Sequence, residues 1–88
     1  MKTYKTLTDE ELSLNDLTID QQGVLERVQE CFNKKPSWVT FSSFWMQEVA
    51  RLAKNGNRKE VADSVLFRIC QDLESRLGID QGYTREAD

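Results

Sequence analysis

Residues 57–78 read NRKEVADSVLFRICQDLESRLG, and the spacing of their apolar side chains decides the fold. Val61, Ala62, Val65, Leu66, Ile69, Leu73 and Leu77 recur at intervals of three and four, which stacks them on one face of a helix. Asn57 stands at the start with Glu60 three residues on, the spacing of a capping box. Gly78 supplies the left-handed residue that commonly stops a helix. The pattern predicts one long helix over 57–78 with a single inward stripe.

Working back along the chain, Asn55-Gly56 closes a preceding helix that Ser37 or Thr40 can cap. Its apolar face comprises Phe41, Phe44, Trp45, Val49, Leu52 and Ala53. Pro36 ends the element before that by disfavouring helical geometry at Lys35. That element opens at Thr18, which makes a capping box with Gln21, and buries Val24, Leu25, Val28 and Phe32, with Cys31 at the edge. A further box, Thr8 with Glu11, carries a staple from Leu7 to Leu12 and predicts a short N-terminal helix ending before a fresh start at Asn15–Thr18.

Residues 79–88, IDQGYTREAD, have no period and read as a disordered tail. No Val/Ile/Thr alternation is long enough for a sheet. The expectation is therefore all-α: a compact bundle of three main helices plus a short N-terminal helix. It spans residues 1–78 as a single domain, with 79–88 as a flexible C-terminal tail. Phe41, Trp45, Leu66, Ile69 and Leu73 are the expected centre of the core.

The composition of the 88 residues, 39% hydrophobic and 31% charged, fits a globular chain and argues against bulk disorder. Apolar runs are only two or three residues long, far short of a bilayer span, and no apolar segment follows Met1–Lys5 as in a secretory signal. A cytoplasmic location without membrane contact is the resulting expectation. Cys31 and Cys70 fall in apolar helical patterns and read as buried thiols, although spacing alone leaves a disulfide open. With no histidine and two distant thiols there is no credible zinc set, and no metal or cofactor is expected.

Catalytic patterns are equally sparse. There is no imidazole to serve as base, and the carboxylates of Asp9-Glu10-Glu11 or of Asp72 and Glu74 diverge on a helix. Gly56 has no partner glycines at phosphate-loop spacing. An enzyme is not expected, and no catalytic residue is assigned.

Charge is unevenly placed. The net charge is −3, yet Lys34, Lys35, Arg51, Lys54, Arg58 and Lys59 face only Glu48 between positions 34 and 59. A basic middle suits an acidic partner or a phosphate backbone, or it pairs internally with the acidic ends. The helix–turn–helix spacing around Asn55-Gly56-Asn57, with Arg58 and Lys59 opening the next helix, is the basis of an alternative: a small nucleic-acid-binding regulator. Glu60 and Asp63 share those turns, which makes the helix a weak phosphate reader and disfavours that alternative.

Two apolar residues lie off the stripes. On a helical wheel Phe67 points about 140° from the Val65–Ile69 face, and Met46 about 130° from the Phe41–Trp45–Leu52 face. Either they pack under another element or they anchor a partner. The sequence thus points to a small non-catalytic helical protein–protein interaction module, an adaptor, inhibitor or assembly factor. Its partner would be another protein or a second copy in a homodimer. The expected surface joins Trp38, Met46 and Phe67 to basic rim residues Arg51, Lys54, Arg58 and Lys59.

Overall fold

Helix formation follows the side-chain caps. In the computed structural model, which describes residues 2–54 and 58–82, the Thr18 hydroxyl accepts the Gln21 amide at 3.1 Å and the Gln21 side chain accepts the Thr18 amide at 3.1 Å. This box starts α1, Ile19–Asn33. The helix ends where Lys35, immediately before Pro36, takes a left-handed φ of 51° and its amide donates to the Phe32 carbonyl. Ser37, not Thr40, caps α2 (Trp38–Ala53) by accepting the Thr40 amide at 3.1 Å.

The stretch expected to be one helix over 57–78 is two. α3 covers Arg58–Ala62 and α4 covers Val65–Asp80. Ser64 makes the break: its hydroxyl donates to the Val61 carbonyl at 2.6 Å and accepts the Phe67 amide at 3.2 Å, closing one helix while capping the next. The inward stripe survives the interruption, with Val61, Leu66, Ile69, Leu73 and Leu77 all buried. The Asn55-Gly56-Asn57 turn and the proposed Asn57 cap lie outside the described residues.

Gly78 is not a stop. It is buried inside α4, which continues to Asp80, and among the described residues the left-handed glycine is Gly82 at φ 86°. Residues 79–81 also do not belong to a free tail. The Gln81 side chain accepts the Trp38 amide at 2.7 Å and donates to the Pro36 carbonyl at 2.7 Å. Residues 83–88 lie outside the described residues.

The expected N-terminal helix is replaced by an antiparallel hairpin, β1 (Thr3–Lys5) and β2 (Glu11–Ser13), followed by a single 3-10 turn at Leu14–Asp16. Thr3 pairs with Ser13, Tyr4 with Leu12 and Lys5 with Glu11. A helical first turn after Thr8 is ruled out by Asp9, whose φ is 67°. The Thr6 hydroxyl accepts the amides of Thr8 and Glu10 instead, and the Thr6 amide donates to the Glu10 carbonyl. Leu7 is left 45% exposed while Leu12 enters the core, so the staple between them does not form.

The three long helices pack against one another pairwise, and α3 lies against α2 and α4. All five expected core residues, Phe41, Trp45, Leu66, Ile69 and Leu73, are buried. Phe32 meets Phe41 edge to face at 5.9 Å. The buried Trp45 indole donates to Glu74 at 2.7 Å, which meets the requirement that a buried N–H find an acceptor. Among the described residues no helix is long and apolar enough to cross a membrane.

Candidate functional site

Trp45 touches both Phe67 and Glu74, and Trp38 meets Gln81, so α2 and α4 run antiparallel. The C-terminal half of α2 therefore faces the first turn of α4, with α3 laid beside both. Between these three elements is an open, mainly apolar groove of about 260 Å³, lined by Val49, Ala50, Ala53, Lys54, Val61, Ala62 and Phe67. The depression exists because three of the lining side chains are alanines. Its volume is below the roughly 300–1,000 Å³ of small-molecule sites, a size suited to one or two inserted side chains.

Phe67 is half-buried, packed against the core, and its ring meets Trp45 edge to face at 5.2 Å and 83°. It lines the groove and is not a projecting anchor. Met46 is 53% exposed on α2, one turn before Ala50. Lys54 is the C-cap of α2 and lines the groove directly. Lys59 is exposed on α3, and Arg58 opens that helix.

Arg51 leans on Glu48 at 3.7 Å, while the Glu48 carboxylate, almost fully buried, is held from the other side by Arg27 at 2.9 Å. Trp38 lies at the opposite end of α2, half-buried beside Gln81. The structure thus brings Phe67 and Lys54 together, sets Met46, Arg51 and Lys59 on the elements around them, and leaves Trp38 elsewhere. Ala50, Ala53 and Ala62 were missed as site residues: Ala53 and Ala62 fell within the apolar stripes and read as core, and Ala50 stood on neither stripe.

A second cluster ties the hairpin to α4. The Asp72 carboxylate accepts the Tyr4 hydroxyl at 2.6 Å, the Leu7 amide at 2.8 Å and the Arg76 guanidinium at 2.8 Å. Arg76 also donates to the Lys5 carbonyl and lies over the Tyr4 ring, and Arg68 is ion-paired with Glu10. Burial pushes the Asp72 carboxyl up, but these three donors outweigh it and hold the group below the usual carboxylate range. Burial, reinforced by Asp72, raises the Tyr4 hydroxyl above the usual tyrosine range. Together these contacts latch the hairpin onto α4.

Burial pushes the Cys70 thiol up to about 12, helped by Glu74, and raises Cys31 against a smaller opposing effect of Lys34. Both thiols are free and held in the protonated, weakly nucleophilic form. Among the described residues no group of three or more histidine, cysteine or acidic side chains is arranged to hold a metal, and every buried side-chain polar atom has a partner. Comparison of the chain with known protein families, with curated protein sequences and with solved structures returns no match.

Proposed function

We propose that this chain is a small non-catalytic protein-interaction module of the cytoplasm, an adaptor, inhibitor or assembly factor that receives part of another protein between α2, α3 and α4. The observation that supports the reading is the open apolar groove floored by Ala50, Ala53 and Ala62, with the Phe67 ring braced from behind by Trp45. An apolar recess with a supported aromatic wall and a charged lip has the makeup of an interface hot spot, in which a few buried contacts carry the affinity and the rim excludes water. The nucleic-acid alternative has no comparable support. Arg58 and Lys59 begin a five-residue helix rather than a long recognition helix, and Arg68 on α4 is already paired with Glu10.

Ala50 is exposed, so Ala50→Glu fills the groove with charge and leaves the core alone. Affinity capture from the native cell with the parent and the variant side by side should show partners lost from the variant, with its melting temperature unchanged. Retention of the same partners by a folded variant would refute the groove as the binding site.

A further inference from the structure

Resting on that reading, we infer that the occupant of the groove is an acidic amphipathic segment of a different protein: apolar side chains seated between α2, α3 and α4, flanked by carboxylates that meet Lys54 and Lys59. The recess takes the apolar part. Val49 and Val61 form buried walls, Phe67 a braced one, and the alanines leave the floor low. The flanking charge follows from Lys54, which lines the recess, and from Lys59, which does not line it but lies about 60° from Ala62 on the α3 wheel. Among the described residues neither Lys54 nor Lys59 has an acid within ion-pair distance. Arg51, one turn before Lys54, is engaged with Glu48 yet remains 65% exposed.

The acids nearby do not cancel this field. Glu48 is buried and neutralised by Arg27 and Arg51. Glu60 lies about 100° from Val61 and about 200° from Ala62 on the α3 wheel, on the side away from the groove. Asp63 is exposed in the link between α3 and α4 and does not line the recess. A lip of unpaired cations around an apolar recess attracts an acidic partner and repels a basic one, which sets specificity and on-rate more than raw affinity. Two copies of α2 set face to face would oppose lysine and arginine with lysine and arginine, because the exposed surface of that helix carries no free acid. Face-to-face pairing of two α2 helices is therefore disfavoured.

The test uses the full chain and three synthetic amphipathic helical peptides with leucines at i, i+3, i+4 and i+7, differing only in glutamate, glutamine or lysine flanks. Backbone amide shifts report where each peptide binds, and Trp45 emission reports contact through Phe67. The glutamate peptide should shift Ala50, Ala53, Ala62 and Phe67, and bind about tenfold tighter than the lysine peptide, the scale expected from reversing a few rim charges. High salt and the Lys54→Glu/Lys59→Glu double variant should each abolish that preference. The two lysines are exposed, so the variant should stay folded with only a small loss of stability from glutamate at the C-terminus of α2 and near Asp63, and its melting curve qualifies the comparison.

Equal or tighter binding of the lysine peptide in the groove would overturn the acidic partner while leaving the interaction module standing. Failure of all three peptides to shift groove residues would overturn both. Concentration-dependent sedimentation of the chain alone, with shifts at Ala50 and at Ile19, which is 85% exposed and stands between Asp16 and Asp20, would identify a second copy as occupant and overturn the inference.

Discussion

Replacing Phe67 by alanine removes a ring that is half-buried, packed against the core and in edge-to-face contact with Trp45 at 5.2 Å. A fully buried Phe→Ala change costs roughly 3–5 kcal/mol. Half of that, about 1.5–2.5 kcal/mol, applies to a half-buried ring, and the lost aromatic pair adds roughly 0.5–1.5 kcal/mol. The expected destabilisation is then about 2–4 kcal/mol, a large fraction of the roughly 5–15 kcal/mol that holds a small domain together. For a chain of this size each kcal/mol moves the melting temperature by about 4–8 °C, so the variant should melt roughly 8–32 °C lower. Urea unfolding followed by tryptophan emission and circular dichroism measures it, and Phe67→Leu should recover more than half the loss by restoring apolar volume. If Phe67→Ala melted within about 2 °C of the parent, the ring would not be packed on Trp45, and the braced groove wall would not exist.

Ser64→Ala should cost about 0.5–2 kcal/mol in urea unfolding because it uncaps α4, whereas Thr8→Ala should be close to neutral, since Thr8 sits exposed in a hairpin turn; the reverse order would contradict the break at Ser64. The hairpin latch should respond to pH at both ends. The Asp72 carboxyl is lower in the folded chain than in the unfolded one, so its contribution is present above the ordinary carboxylate range near 4 and is lost as pH falls through the folded value. The Tyr4 hydroxyl is raised, so its contribution is present below about 10 and is lost as pH rises through the folded value. Hydrogen exchange at the Leu7 amide should accelerate at acid pH beyond its intrinsic rate, and Asp72→Asn should flatten that limb of the stability curve as Tyr4→Phe flattens the alkaline one. Parallel curves for parent and variants would remove the latch.

The helices were legible where side-chain caps and stripes agreed. Thr18 with Gln21, the Val24–Val28 face and the Leu66–Leu73 face each depend on residues within a turn or two of one another, and all are found as read. The hairpin was misread because its determinants are remote: three-residue strands carry too little alternation to detect, and the carboxylate that fixes Leu7 lies 65 residues away. Local spacing around Thr8 satisfies the rule for a helix start, and Asp72 overrides it. The break at Ser64 escaped notice for the opposite reason. Val61 and Val65 keep the helical period across it, so the hydrophobic pattern records the shared face and not the interruption. Phe67 lay off the main stripe, but α2, lying beside α4, buries a second side of that helix. The groove itself is an absence of side chain, and alanines at 50, 53 and 62 gain meaning only once three helices converge on them.

The attachment of the hairpin to α4 has a consequence for the order of assembly. During synthesis β1 and β2 emerge before α4, and the groups that hold them, Asp72 and Arg76, are made 65 to 71 residues later. A two-stranded ribbon is marginal in water without a surface to dock on. The hairpin therefore leaves the ribosome before α4 yet settles after it, waiting as loose polypeptide until α4 closes over it. Nascent chains arrested before residue 72 should leave that segment open to protease while α1 is already helical, and release of the full chain should seal it.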